Sequence, residues 1–556
     1  MVNNMNKKVK LRYDRIAICI IALIVLLFVI VKGISGIINL INPQIEKMYL
    51  ASSSNNIDIY DKNKNKVKTV VRGSTVSVYK KTLENEYVKI EINDDVFFVL
   101  KENLVENHSD VVLEKNIYVR TPMVLTNDNI KITNFVPKSS KLDIIGFDSI
   151  DSNGDVLNYK VKYNDSIGYI KNEYLSLDLE TAKKHYDENE SYLVHVKRTS
   201  TYGGDASELD FYPREKASFK DNVMPNKVSA LYLNGSAINK VEDYLELANG
   251  SNINAFVVDI KDSVLSYKSD VAKSITPTSY KNAISSVEKY RENIDKLKKE
   301  GYYVIGRISL FKDHSYAIDN PEDSITDSKG NLYKHNGSYW PSAYSTNVWE
   351  YNISLALEAV ELFGFNEIQF DYVRFPDGTS SLEKDGVINM KNTYNISKIQ
   401  AIQTFLIYAT DILHEKGVYV SADVFGESAH SYINSYGQYW GAISNVVDVI
   451  SAMPYPDHFN IHQYGISDVV WTNPYKLLYT WCKDYAIKRQ AEVPTPAKMR
   501  TWIQAYNTTK SPATTYDAKK IADQIKALED ANALGGYMTW NSASSLSKYK
   551  EIIDSL

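Results

Sequence analysis

A chain of 556 residues with 44% hydrophobic and 24% charged side chains has the balance of a globular protein of several domains, and is neither largely disordered nor collagen-like. Its 63 Lys and Arg against 68 Asp and Glu leave a net charge of −5, without the basic excess that nucleic acid would require of a partner. Two cysteines, Cys19 in an apolar run and Cys482 far from it, exclude a disulfide scaffold and a cysteine-built zinc site.

Residues 1–15 form a basic tail carrying Lys7, Lys8, Lys10, Arg12 and Arg15. Residues 16–31 hold no charge, and 33–41 are again apolar apart from Ser35 and Asn39. Spanning a bilayer takes about 20 apolar residues, so the strict run needs Lys32 to snorkel. Residues 16–41 are therefore expected to be a single transmembrane anchor. The basic flank puts the N-terminus in the cytoplasm and the bulk of the chain outside the cell membrane. No Ala-x-Ala site follows, which favours an uncleaved anchor over a signal peptide.

Residues 50–107 and 115–178 read as β structure, with short alternating apolar runs broken by Asn, Asp, Gly and Lys clusters. Features recur at an offset of roughly 70 residues, which suggests two tandem small barrels. Each copy closes alike, on Lys101-Glu-Asn-Leu104 and on Lys171-Asn-Glu-Tyr-Leu175. The strand and turn order resembles bacterial SH3-like domains. The resemblance implies contact with the cell wall, while the residues alone allow a spacer. A polar linker follows near 181–190.

The remainder, 190–556, changes character. Eight apolar runs at 228–234, 255–262, 303–311, 367–375, 418–425, 447–453, 500–506 and 536–541 alternate with helical patterns at 287–297, 348–363, 399–413, 475–487 and 518–528. Eight strand–helix units point to a (β/α)8 TIM barrel. A doubly wound sheet is the alternative, but no Gly-rich phosphate fingerprint follows the first strand.

In such a barrel, chemistry sits at the C-terminal ends of the strands. On the fourth, Gln369, Asp371 and Val373 share a face opposite Ile368 and Phe370. Asp371 is thus expected to point inward, with Arg374 as its nearby partner. Asp423 shares parity with Ser421 on the fifth, and Glu427 follows on the loop. The second strand offers Asp259 and Lys261 on one face, and the third Arg307. The sixth runs into Tyr455 and His458, the seventh ends in Gln504 and Tyr506, and the eighth in Trp540 and Asn541. Paired acids ringed by aromatics fit glycosidic hydrolysis, in which one carboxyl protonates the leaving oxygen and a second acts as nucleophile or base. All seven tryptophans lie in this part of the chain, and Trp540 and Tyr506 are expected to line the cleft. No His-Glu-x-x-His occurs, so neither a metal nor another cofactor is expected.

The segments Trp340-Pro-Ser-Ala-Tyr-Ser-Thr-Asn-Val-Trp349, Glu367-Ile-Gln-Phe-Asp-Tyr-Val-Arg-Phe-Pro376, Val420-Ser-Ala-Asp-Val-Phe-Gly426 and Tyr455-Pro-Asp-His458 together resemble the glycoside hydrolase family DUF4015. The resemblance covers about 227 to the C-terminus and implies a barrel related to α-amylase-type hydrolases. It makes Asp371 the nucleophile or stabilising carboxylate and either Asp423 or Glu427 the acid/base. Two departures bear on that assignment: Ala505 stands where an acid is expected, and Glu427 where none is. The resulting expectation is a membrane-anchored, extracytoplasmic glycosidase acting on a cell-envelope or extracellular polysaccharide. Asp259, Arg307, Arg374, Tyr455, His458, Gln504, Tyr506, Trp540 and Asn541 are its expected substrate-binding residues. The alternative is an inactive barrel that binds glycan or a partner in envelope assembly.

Overall fold

The computed structural model describes residues 45–556 apart from 128–129, 185–198, 201–202 and 207–208, with a few positions between 23 and 32. The expected anchor at 16–41 thus lies outside the described residues but for those positions. Among the described residues no helix is long and apolar enough to cross a membrane.

The chain divides into two compact units. One comprises Met1–Lys115 with Ile144–Lys160, the other Asn116–Asp143 with Val161–Leu556. The N-terminal region holds two seven-stranded sheets with antiparallel pairing. Numbered along the chain within each sheet, the strands of both run in the order 3-2-6-5-4-1-7, so the sequence repeat is also a topological one. In the first unit Arg72, 3% exposed, donates from Nε to the Gly154 carbonyl at 2.8 Å and from Nη1 to Glu114 at 3.0 Å. This ties the 144–160 hairpin to the first sheet.

The second unit contains a parallel barrel. Its staves are β1 (Val228–Leu233), β2 (Ala255–Lys261), β3 (Tyr303–Ser309), β4 (Glu367–Asp371), β5 (Tyr419–Phe425), β6 (Val449–Met453), β7 and β8 (Gly536–Trp540). β7 comes in two pieces. Lys498–Met499 pairs with β6, and Thr501–Gln504 pairs with β8. Because β8 also pairs with β1, the eight staves close through this split seventh one. Closure is tight where β8 starts. Gly536 has φ +94°, and a Cβ there would sit 1.9 Å from the Val228 carbonyl oxygen.

The helices follow the expected alternation: α1 (Val241–Ala248), α2 (Val287–Lys299), α3 (Thr346–Phe363), α4 (Lys398–His414), α5 (Trp440–Ser444), α6 (Pro474–Trp481), α7 (Ala518–Asp530) and α8 (Leu546–Ile552). α3 ends where Gly364 adopts φ 64°, a left-handed stop that only glycine takes without strain. Outward residues of the staves meet this shell, as Phe370 does against Phe405 of α4 at 5.4 Å.

The barrel interior is filled, not hollow. Ala230, Val257, Ile305, Trp502 and Met538 belong to one buried cluster. Beneath it, the fully buried Glu367 accepts two bonds from Arg500 at 2.8 and 3.0 Å and one from the Tyr303 hydroxyl at 3.0 Å. One cation faces one carboxylate there. The layer above the cluster is built differently.

Candidate functional site

That upper layer lies at the C-terminal ends of the staves. Arg307 of β3, 1% exposed, is its centre. Its Nη1 donates to Asp259 of β2 at 2.7 Å and to Asp262 at 3.2 Å. Its Nη2 and Nε donate to Asp371 of β4 at 2.5 and 3.2 Å. The Tyr232 hydroxyl of β1 completes Asp259 at 2.6 Å. The guanidinium also lies over the Tyr232 and Trp540 rings, at 5.5 and 5.2 Å.

Asp371 lies inside, as strand alternation requires, but its partner is Arg307 and not Arg374. The cause is local. Tyr372 has φ 51°, so the strand ends in a left-handed turn that aims the Tyr372 N–H at Asp371 Oδ1, at 2.6 Å. Parity counted past that turn no longer holds. Arg374 is carried away to Asp377 and the Phe375 carbonyl, each at 3.0 Å, with its guanidinium 4.4 Å above the Phe425 ring. The expected pairing of Asp259 with Lys261 on one face fails for a similar reason. An irregularity in the β2–β3 register between the two sends Lys261 to Asp313 at 2.6 Å and to Asn352 of α3 at 2.8 Å.

Asp423, on the neighbouring stave β5, is 1% exposed. Its Oδ1 accepts from the Trp502 indole at 2.9 Å, and its buried Oδ2 has no hydrogen-bond partner. Burial pushes its carboxyl well above the usual carboxylate range. The negative charge of Asp371 pushes further the same way, against the pull of Trp502 and Arg307. Asp259 is pushed up to about 6, again by burial, with Arg307 opposing. Four carboxyls therefore gather where, among the described residues, Arg307 is the one cation bonded to any of them, and burial with mutual repulsion raises Asp259 and Asp423.

Aromatic rings surround this layer. Trp540, partly exposed, lies 4.6 Å from Tyr232 and 5.5 Å from Trp502, and stacks on Tyr455 at 6.5 Å. Tyr506 meets Tyr455 edge-on and donates to Asp457 at 2.9 Å. Gln504 is fully buried, accepts from the Asp457 N–H and donates to the Tyr506 carbonyl, so it holds loop backbone. Asn541 likewise donates to the Ala505 carbonyl and accepts from the Ser545 N–H. Tyr232 and Trp502 had not been singled out, although Trp502 shares parity with Gln504 and Tyr232 with the inward positions of β1.

Glu427 and His458 belong to a separate cleft of about 500 Å³, lined also by Phe425, His430, Tyr432, Met453 and Phe459. It begins where Phe425 pairs with Met453, two residues along β5 from Asp423. The sequence expectation thus resolves into two adjacent places. Asp259, Arg307, Asp371, Asp423, Tyr455 and Trp540 share the barrel mouth, and Glu427 and His458 share the cleft. No group of His, Cys, Asp and Glu among the described residues is arranged to hold a metal ion.

Residues 230–546, more than half of the chain, match the family model described as "Putative glycosyl hydrolase domain", DUF4015. A search of curated proteins gave no match. Among solved structures, a hypothetical protein from Ruminiclostridium thermocellum is 33% identical over 35% of this chain and 97% of its own, with a TM-score of 0.29. The PgaB (BpsB) glycoside hydrolase domain from Bordetella bronchiseptica is 10% identical over 59% of this chain and 98% of its own, with a TM-score of 0.39. A class V chitinase from Nicotiana tobaccum is 10% identical over 59% and 99%, with a TM-score of 0.34.

Proposed function

The chain belongs to the DUF4015 family of glycosyl hydrolase domains, and from that footing we propose that its barrel cleaves a polysaccharide with Asp371 and Asp423 as the working pair. One observation carries the assignment: on the stave next to Asp371, Asp423 is buried with its Oδ2 unpartnered, where burial and the charge of Asp371 both push its carboxyl up. A general acid needs a proton to give at neutral pH. Asp423 would protonate the leaving glycosidic oxygen. Asp371, with three N–H bonds aimed at its two oxygens, would attack or stabilise the positive charge that develops on the sugar ring. Arg307 orients Asp371 and, by drawing on several carboxylates at once, leaves Asp423 to carry the surplus proton. The partly exposed face of Trp540 suits a sugar ring.

The substrate class we propose is an envelope or extracellular polysaccharide, reached from a membrane-anchored position outside the cell. The charge-free run at 16–31 behind a basic flank supports this. The two N-terminal β units would hold the barrel at the wall. Protease shaving of intact cells tests the placement: removal of everything beyond 45 is expected, and full protection would refute it.

A second reading is a barrel that binds glycan without cutting it. The near-complete burial of Asp423 favours that reading, because a proton donor has to meet its substrate. Turnover separates the two. The full chain is assayed for reducing ends released from purified wall polysaccharides, beside Asp371→Asn and Asp423→Asn. Loss of about 100-fold or more in both variants, with folding intact, is the expected result. Equal turnover in either variant refutes the pair.

A further inference from the structure

The cleft beside the barrel mouth has a charge pattern of its own. Of its lining side chains, Glu427 is the one carboxylate, and none is Lys or Arg. Glu427 forms no salt bridge with any described residue. Instead Tyr432 donates to Oε1 and Tyr436 to Oε2, the latter at 2.9 Å. Both phenols are held protonated, by burial first and by Glu427 itself second, so they act as fixed donors. A carboxylate has about four acceptor positions, and two are used.

Glu427 is exposed, and the two histidines of the cleft do not supply it with a cation. Burial lowers the pKa of His430 against the pull of Glu427, and that of His458 against the pull of Asp457. His430 is further engaged by the Tyr464 hydroxyl at 3.0 Å and by stacking on Tyr485 at 4.9 Å. Two basic side chains near the cleft are committed elsewhere. Lys510 donates to the Asp457 and Phe459 carbonyls, and Arg374 pairs with Asp377. Large apolar side chains stand open nearby: Tyr432, which lines the cleft, is 44% exposed, and Ile461, beside the lining Asn460, is 51% exposed.

We propose that this cleft is a subsite for a sugar bearing a free, protonated amino group, with Glu427 as its counter-charge. The inference rests on the glycosidase reading above and names the substrate class: a glycan with de-N-acetylated amino-sugar units. An ammonium between the two open acceptor positions of Glu427 makes charge-assisted hydrogen bonds, while Tyr432 offers a ring face. An acetamido or hydroxyl group in the same place leaves the carboxylate without a cation. Phe425, which lines the cleft, stands two residues or roughly 7 Å along β5 from Asp423, so the cleft adjoins the barrel mouth.

The test uses binding, so that it does not depend on turnover. The full chain carrying Asp371→Asn is titrated by calorimetry with a glucosamine tetramer, an N-acetylglucosamine tetramer and a cellotetraose. The glucosamine tetramer is expected to bind about 10-fold or more tightly than either of the others, as one charge-assisted bond implies. Adding Glu427→Gln should erase that preference, and Glu427→Asp should retain part of it. Equal affinity for the three, binding of none, or a preference that survives Glu427→Gln overturns the proposal. If Glu427→Gln in the otherwise native chain abolishes cleavage of amino and neutral glycans alike, Glu427 is a catalytic acid and the subsite reading falls. The glycosidase reading stands or falls separately, on Asp371→Asn and Asp423→Asn.

Discussion

Asp259→Asn is the most direct probe of the crowded barrel mouth. The substitution keeps the shape: an amide oxygen still accepts from Arg307, and its NH2 can donate to the Tyr232 oxygen in place of the bond seen at 2.6 Å. What disappears is the titration. In the native fold Asp259 is pushed from 3.8 to about 6 by burial, which outweighs the attraction of Arg307. Between those two values the folded chain binds a proton that the unfolded chain has released. The group's contribution is therefore fully present below about 3.8 and is lost as pH rises through about 6. At about 1.4 kcal/mol per pH unit, the loss amounts to about 3 kcal/mol. Urea unfolding of both chains at a series of pH values measures it. The stability of the native sequence relative to Asp259→Asn is expected to fall by about 3 kcal/mol across that window and to stay flat above it. The constant offset from the changed hydrogen bonds does not matter, since only the slope is read. Parallel curves would show that Arg307 cancels the burial of Asp259. A relative gain with rising pH would show that it dominates. Either result would refute the reading that burial outweighs Arg307 at Asp259.

The lower layer should respond in another way. Arg500→Met strands the fully buried Glu367 and is expected to cost about 3–5 kcal/mol by urea midpoint, whereas Glu367→Met with Arg500→Leu together should come out near neutral. Gly536→Ala puts a Cβ 1.9 Å from the Val228 carbonyl at φ +94°, so the joint between β8 and β1 must open. A loss of more than about 3 kcal/mol is expected, read as a lowered thermal midpoint. Trp540→Ala removes a ring face at the mouth and should raise KM for a cleaved glycan roughly 10-fold, with a smaller effect on kcat. An effect confined to kcat would place Trp540 behind Arg307 instead of against the substrate.

Much of this architecture could be read from residue patterns, because period and parity are local properties. Eight apolar runs separated by amphipathic segments gave the staves and their helices, and the alternation of Ile368 and Phe370 with Gln369 and Asp371 gave the inward carboxyl. The misreadings begin where the backbone leaves regular geometry. Tyr372 at φ 51° ends the parity of β4, so Arg374 was assigned to a carboxylate it does not touch. The register shift after Asp259 took Lys261 off the face that it was expected to share with Asp259. Neither turn leaves a mark such as glycine or proline in the sequence. The polar residues ending β7 and β8 misled for a different reason. Gln504 and Asn541 spend their amides on loop carbonyls, and a sequence does not record which carbonyls a fold leaves unpaired. Trp502 was legible, since it shares parity with Gln504, but a tryptophan in a barrel stave reads as core until its indole is seen on Asp423.

The two charged layers of the barrel differ in their balance of charge. Beneath the apolar cluster, Arg500 and Glu367 balance one to one, and both oxygens of the carboxylate are bonded. Above it, Asp259, Asp262, Asp371 and Asp423 gather around Arg307, while Lys312 reaches only as far as the Tyr372 hydroxyl at 3.2 Å. A structural ion pair needs neutrality alone, and the lower layer has it. An excess of buried acid makes the fold less stable at neutral pH unless a proton stays behind, and the least exposed member, Asp423, is where burial and repulsion act in the same direction. On the proposed reading, the same excess that weakens the upper layer as a piece of structure would leave a donor and an acceptor on adjacent staves, the division of labour that glycosidic cleavage demands.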